Sequence, residues 1–224
     1  MKEIVSFIRR WKYEVLLFAL GQHLFAGILL TDFEFYTHVI WPLNMLILGV
    51  ASIGVFMGKS RLKTIIKNIL FVIVLLLPIG LPFFEDVSYY FQMLNILYIL
   101  FFLYIFWEIM RFLVKPGYIN ADLLSAAACG YFLLIEISVF LLQFCVYNDP
   151  TSFNGVTMTN SAEIFMDLVY FCSITFTSIG FGDITPNTHS TKLIASLIGI
   201  VGQFYSVILV GILISKFASR TSEK

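Results

Sequence analysis

Thr177-Ser178-Ile179-Gly180-Phe181-Gly182-Asp183 stands near the end of the chain, between two long apolar stretches. Two glycines alternate with larger residues in this heptapeptide and follow two hydroxyl side chains. Glycine lacks a Cβ and adopts backbone angles that other residues avoid, so the alternation lets successive carbonyl oxygens point toward one axis. Four such strands around that axis would form rings of oxygen that replace the hydration shell of a cation. Within a membrane protein, the heptapeptide therefore predicts an ion filter.

Composition indicates that the chain is a membrane protein. Of its 224 residues, 59% are hydrophobic and only 12% are charged, and the mean hydropathy is +0.92. A soluble domain of this size cannot bury that much apolar surface. A membrane-spanning helix needs about 20 apolar residues. The candidate spans are Tyr13–Leu30, Val39–Met57, Ile65–Phe84, Tyr89–Val114, Leu123–Val146 and Leu193–Phe217.

The net charge of the chain is zero, but its basic residues are distributed unevenly between the two sides of the predicted helices. Positive residues collect in cytoplasmic loops, and six alternating helices leave only Lys192 on the side opposite the termini. We therefore predict that both termini are cytoplasmic and that the filter opens outward. The basic residues on the termini side are Lys2, Arg9, Arg10, Lys12, Lys59, Arg61, Lys63, Lys67, Arg111, Lys115, Lys216, Arg220 and Lys224. The opposite loops carry Asp32, Glu34, Glu85, Asp86, Asp149 and Asp183.

A helix that is too short to cross the bilayer precedes the heptapeptide. Asn160 and Glu163 form a capping box, which predicts the start of a helix that continues to Thr175. The chain must then return to the side from which it came. Irregular backbone at membrane depth is tolerated only where it is buried in protein or lines water. The carbonyl end of such a helix would stabilise a dehydrating cation.

The stretch Thr175–Asp183 resembles the potassium-channel signature TxxTxGYGD, and the resemblance covers the pore module, about Asp122 to Lys216. It implies an all-α membrane protein with six transmembrane helices, a re-entrant pore helix and a selectivity filter, assembled as a homotetramer. The implied filter comprises Thr177, Ser178, Ile179, Gly180, Phe181 and Gly182. K+ would bind to the carbonyls of the first five of these residues and to the Ser178 hydroxyl.

Three departures from the family pattern bear on the stability of the filter. Phe181 replaces the usual tyrosine, and Ser178 replaces a threonine. Ile174 stands where some bacterial members carry a glutamate, and Tyr170-Phe171 stands where many members carry tryptophans. Asp183 is thus expected to lack its two usual partners. The residues that we assign to the support of the filter are Asp183, Tyr170 and Phe171.

The last helix should line the pore, and its glycines are candidates for a gating hinge. Gly202 falls where inner helices of the family commonly carry a hinge glycine, and Gly199 and Gly211 are alternatives. Small residues also allow helices to pack closely, and this explanation is equally good for any one of these glycines.

The first four helices take the position of a voltage sensor but lack its charges. The fourth contains one arginine, Arg111, with Glu108 one turn earlier as a possible partner. Each elementary charge that crosses the field contributes only about 2.3 kcal/mol per 100 mV. We therefore predict no conventional voltage gating. By default, we assign these helices a structural role around the pore module in the lipid bilayer.

Polar residues inside the predicted helices are the remaining candidates for a sensor. Glu136 is the foremost of them because it lies midway along the fifth helix. Each of these residues could instead form a hydrogen bond between helices. The others are Gln22, His23, Gln92 and Asn95.

We divide the chain into a four-helix domain, residues 1–115, and a pore domain, residues 116–224. The short connection Lys115-Pro116-Gly117-Tyr118 favours packing of the first domain against its own pore domain. Scattered cysteines and histidines form neither a disulfide framework nor a metal site. We expect no enzyme activity, no cofactor other than K+ as permeant ligand, and no nucleic-acid partner. A regulator would act within the membrane, through lipid, or as a separate subunit.

A passive, potassium-selective channel is the function that these features favour. A non-selective cation channel of the same fold is an alternative, although Gly180-Phe181-Gly182 retains the stacked sites. A subunit of a potassium-uptake transporter is a second alternative, but such proteins resemble four fused repeats with one glycine each. A membrane scaffold without transport would leave the filter unexplained. The compact chain suggests a bacterial inner membrane.

Overall fold

The computed structural model describes residues 10–29, 32–56, 60–84, 89–114 and 121–222. Helices make up most of this part of the chain: α1 (Lys12–Phe25), α2 (Phe33–Phe56), α3 (Arg61–Phe84), α4 (Tyr90–Leu113), α5 (Ala121–Asn148), α6 (Ser161–Phe176) and α7 (His189–Ser222). Two short strands, β1 (Phe153–Asn154) and β2 (Thr185–Pro186), flank α6 and the filter. Several predictions fall outside the described residues: the helix ends Leu30 and Met57, the domain boundary and helix break at 115–118, and the charged residues Lys2, Arg9, Lys59, Glu85, Asp86, Lys115 and Lys224.

The first two helices are less regular than their apolar pattern suggests. α1 continues as a 3₁₀ turn over Ala26–Leu29. α2 begins at Phe33, before the predicted start at Val39, and passes through a π-helical segment, Tyr36–Ile40. Its earlier start follows from Asp32, whose carboxylate caps the helix by accepting a hydrogen bond from the backbone amide of Phe35, 3.0 Å away.

Four helical stretches within the described residues are long and apolar enough to cross a membrane. They are Phe33–Phe56, Tyr90–Leu113, Asp122–Asn148 and His189–Leu209. This identifies the chain as a mostly helical membrane protein. Helices also form at the first and third predicted spans, but α1 has 14 residues, and neither α1 nor α3 meets the same criterion over the described residues.

Three of the first four helices, α1, α2 and α4, contact the pore helices of their own chain, and α3 packs on the outside of this group. α1 lies against α2 and α5, and α4 runs along α5, while α3 contacts α2 and α4. α6 and α7 pack on α5 and on each other. Large aromatic side chains fill the centre of this arrangement, and those that are almost fully buried are Tyr36, Tyr98, Phe101, Phe102, Phe140 and Phe165.

The chain enters and leaves the region of α6 and the filter at the same place. β1 and β2 pair antiparallel, with Phe153 opposite Pro186. The backbone amide of Asn187 also donates to the carbonyl of Ser152 at 2.8 Å. Because the two ends of the segment are hydrogen-bonded to each other, α6 and the returning filter strand form a closed loop.

Candidate ion-conduction site

The pore helix α6 begins where the sequence predicts. The side chain of Asn160 accepts a hydrogen bond from the backbone amide of Glu163 at 2.8 Å, and its amide nitrogen donates to the Glu163 carboxylate at 2.9 Å. This reciprocal cap satisfies groups at a helix terminus that would otherwise lack partners. The confirmed cap fixes the direction in which α6 approaches the filter.

The same helix ends in a Schellman motif, and the filter starts inside it. The amide of Ser178 donates to the carbonyl of Thr175 at 3.1 Å, and the amide of Ile179 donates to that of Ile174 at 2.9 Å. Ser178 has a φ of 59°, the left-handed conformation that this motif requires after the last helical turn. The hydrogen bonds that end the helix therefore fix the first filter residues.

Backbone angles alternate along the heptapeptide. Gly180 and Gly182 have φ values of 53° and 81°, so every second residue from Ser178 onward is left-handed. L-residues other than glycine rarely adopt this conformation. The glycines thus occupy positions that require their freedom, and the strand can direct successive carbonyls to one side.

Asp183 has a hydrogen-bond partner on α6 that is not one of the two usual partners in the family. The hydroxyl of Tyr170, on α6, donates to Asp183 Oδ2 at 2.7 Å. This bond lowers the pKa of the Asp183 carboxyl from its usual value. The tyrosine at this tryptophan position thus supplies a donor, and two of the residues that we assign to the support of the filter are in contact.

The loop that follows α5 packs against α6 and against the residue at the end of the filter. Phe171 packs edge-on against Phe153 of β1, with ring centroids 5.4 Å apart. Gly155 has a φ of 84°, and a Cβ there would lie 2.3 Å from the carbonyl oxygen of Asp183. We did not single out Gly155 from the sequence, although Asn154-Gly155 is a turn signal.

The inner helix α7 packs against the outer helix α5 and against the pore helix. The hydroxyl of Tyr205 donates to the carbonyl of Ala127 at 2.7 Å, beside Gly130, where a Cβ would lie 2.1 Å from that hydroxyl. A Cβ on Gly202 would lie 2.6 Å from the ring of Phe176. The predicted hinge glycine is therefore in close contact with the end of the pore helix.

The other candidate glycines are less crowded. A Cβ on Gly199 would meet Thr175 at 3.7 Å, an ordinary contact, and one on Gly211 would meet no atom of the described chain within 4 Å. α7 is continuous through all three glycines. Their role in gating stays a prediction.

The polar residues inside the helices have hydrogen bonds to protein groups. Glu136 is not at the filter but on α5, where it pairs with His23 of α1 at 2.7 Å. Gln22 donates to Asn44 at 2.9 Å, which joins α1 to α2. Gln92 donates to a carbonyl of α5 at 3.4 Å, and Asn95 donates within its own helix at 2.7 Å.

The single arginine of the fourth helix is engaged in a cluster of charges. Arg111 lies 3.5 Å from Glu108, as the spacing suggests. Lys63 of α3 also forms an ion pair with Glu108, whose side chain is 1% exposed. We did not predict the contact with Lys63 because the two residues are 45 positions apart.

Comparison with known proteins gives matches to the pore region. The family model described as "Ion channel" matches residues 130–219. "Two pore potassium channel a" of Oryza sativa subsp. japonica is 34% identical over 95 residues, 42% of this chain and 24% of that protein. "Potassium voltage-gated channel subfamily KQT member 3" of Homo sapiens is 31% identical over 106 residues, 47% of this chain and 12% of that protein.

The matched region covers about a quarter or less of the length of these curated relatives. No solved structure matches the chain significantly. These relatives are named as channels, and the matched region contains α6, the heptapeptide and α7 as far as residue 219. The pore region of the chain is thus similar to that of named potassium channels, in agreement with the resemblance of its filter motif.

Proposed function

We propose that this chain forms a potassium-selective channel, which conducts K+ passively across a cell membrane. The observation that carries the proposal is the backbone of the heptapeptide, where Ser178, Gly180 and Gly182 are left-handed directly after the end of a pore helix. Such a strand can present a row of carbonyl oxygens to a dehydrated cation. The C-terminal end of α6 adds a favourable dipole for a positive charge. The named potassium channels that match the pore region support the same function.

The proposal includes a homotetramer, because one chain supplies only one filter strand. In the single chain, the side chains of Ile179 and Phe181 are 57% and 71% exposed. An apolar stripe of α7, which includes Leu197 and Phe204, is exposed as well. Neighbouring copies would cover these surfaces. In the proposed subunit, six helices cross the membrane, both termini are cytoplasmic, and residues 1–115 and 116–224 form the two domains.

The test is ion flux from liposomes that contain the purified protein, measured in K+ and in Na+ with barium outside. We expect barium-sensitive flux in K+ and none in Na+. Gly180→Ala should abolish the flux, since alanine is strained at a φ of 53°. Gly199→Ala is the matched control outside the filter and should leave selectivity unchanged.

Equal flux in both ions would refute potassium selectivity and favour the non-selective channel. Flux that Gly180→Ala leaves intact would refute the assignment of the filter itself. Absence of flux would call for an opener, and a regulatory partner subunit would be the first candidate to supply it.

A further inference from the structure

A buried pair of polar residues joins the N-terminal helices to the pore. His23 Nδ1 on α1 lies 2.7 Å from Glu136 Oε1 on α5, and the side chains are 1% and 0% exposed. The two residues are separated by 113 positions in the sequence. The pair is therefore a tertiary contact between the four-helix domain and the outer pore helix.

The pair lies directly behind the pore helix, in an aromatic pocket. The ring of His23 packs edge-on against Phe165 of α6, with centroids 5.2 Å apart, and stacks with Phe140 at 6.3 Å. Trp41 of α2 reaches the same Phe165 ring at 5.1 Å. Movement of the His23 ring would therefore displace Phe165, a side chain of α6 that contacts both of the first two helices.

Within the described part of the chain, the two residues have no other hydrogen-bond partner. His23 Nε2 and Glu136 Oε2 are buried and unpaired among these residues. The titratable side chains that face the pocket are Tyr36 on α2, Tyr98 on α4 and Cys172 on α6, and their ordinary forms at neutral pH are uncharged. The bond between His23 and Glu136 is thus a polar contact across an otherwise largely aromatic pocket.

The chemistry of the pair requires a proton between the two atoms. A nitrogen lone pair and a carboxylate oxygen at 2.7 Å would repel each other without one. If Nε2 is also protonated, the pair is neutral overall, whether the shared proton is nearer the nitrogen or the oxygen. Removal of either partner leaves the other buried and unpaired, which is strongly unfavourable in an apolar pocket.

We propose that the His23–Glu136 pair positions the pore helix for selective conduction, so that the shape of the filter depends on a hydrogen bond outside it. The inference rests on the proposed function. The route is short: His23 contacts Phe165 on α6, and α6 ends in the Schellman motif that contains Ser178. A displaced α6 carries its last turn and the first filter residues with it.

The experiment compares wild type, the single variants His23→Leu and Glu136→Leu, the double variant His23→Gln with Glu136→Gln, and a matched control. Gln22→Met is the control, because it removes a hydrogen bond of the neighbouring residue that joins α1 to α2 and not to the pore. The thermal midpoint in detergent reports the stability of each protein. The K+/Na+ permeability ratio, taken from reversal potentials in planar bilayers, reports the shape of the filter.

We expect both single variants and the control to lower the thermal midpoint by roughly 5 °C. The single variants should also lower the permeability ratio at least threefold, whereas the control should leave it unchanged.

The double variant keeps the test valid if the single variants do not assemble. Two glutamine side chains can form a neutral amide hydrogen bond, so the double variant should recover a ratio within twofold of wild type. Single variants that lose stability but retain wild-type selectivity would overturn the inference and leave the proposed function intact. A stable double variant without selectivity would overturn it as well. A wild-type protein that does not distinguish K+ from Na+ would refute the proposed function first.

Discussion

Substitution of Gly202 by alanine tests whether this glycine serves as a hinge or is needed for close packing against Phe176. The new Cβ would lie 2.6 Å from Phe176 Cδ1 and 3.0 Å from Cε1 and Cγ. Phe176 is only 3% exposed and packs edge-on against Tyr131, 5.7 Å away, so its ring has little room to retreat. Overpacking of this kind costs about 1–3 kcal/mol.

Gly199→Ala is the matched comparison on the same helix. Its Cβ would meet Thr175 at 3.7 Å, an ordinary contact. Both substitutions gain the helix propensity of alanine over glycine, about 0.5–1 kcal/mol. That gain cancels in the difference between the two variants. Gly202→Ala should therefore be less stable than Gly199→Ala by about 1–3 kcal/mol, or roughly 2–12 °C in the thermal midpoint.

Phe176→Leu provides the rescue. A smaller side chain at this position should restore most of the stability of Gly202→Ala, since it removes the ring that the methyl group meets. Equal stability of Gly199→Ala and Gly202→Ala, or failure of the rescue, would refute the packing argument. Flux that stays low in the rescued protein would instead indicate that α7 bends at Gly202 when the pore opens.

Three further results are expected from the same structure. Gly155→Ala should abolish K+ flux, because the φ of 84° at this position is unfavourable for alanine and the new Cβ would lie 2.3 Å from the Asp183 carbonyl oxygen. Retained flux would show that the loop can move to accommodate the methyl group. Tyr170→Phe should shift the loss of flux in acid to higher pH. The Tyr170 hydroxyl lowers the pKa of Asp183, so the hydrogen bond stabilises the folded filter above the usual aspartate pKa. This stabilisation disappears as the pH falls through the depressed pKa. A loss of flux at the same acid pH in wild type and Tyr170→Phe would contradict this prediction. Conductance should change little with voltage, because the single arginine of α4, Arg111, is paired near the end of that helix; a steep Boltzmann slope in a planar bilayer would exclude this view.

Local sequence signals predicted the parts of the site that local chemistry determines. The cap at Asn160 and the left-handed glycines Gly180 and Gly182 follow from neighbours within a few positions. The start of α2 was misplaced by the apolar pattern alone, although Asp32 is a recognisable cap. Such features depend on one or two turns of backbone and not on the fold.

Contacts between distant elements could not be predicted in the same way. The bond from Tyr170 to Asp183 depends on how the filter strand returns past α6. The pairing of His23 with Glu136 depends on the packing of α1 on α5. Residue type marked His23 and Glu136 as polar groups in need of partners, but only tertiary packing decides which partners they find.

The antiparallel pairing of β1 with β2 has a consequence for pharmacology. Gly155 lies against the backbone of Asp183 and Ile184, so the loop before α6 and the strand after the filter are packed and hydrogen-bonded to each other. A toxin or antibody that binds this loop would displace the backbone that follows the filter, without entering the pore. We expect such a molecule to alter conduction from a distance, and not by plugging the pore.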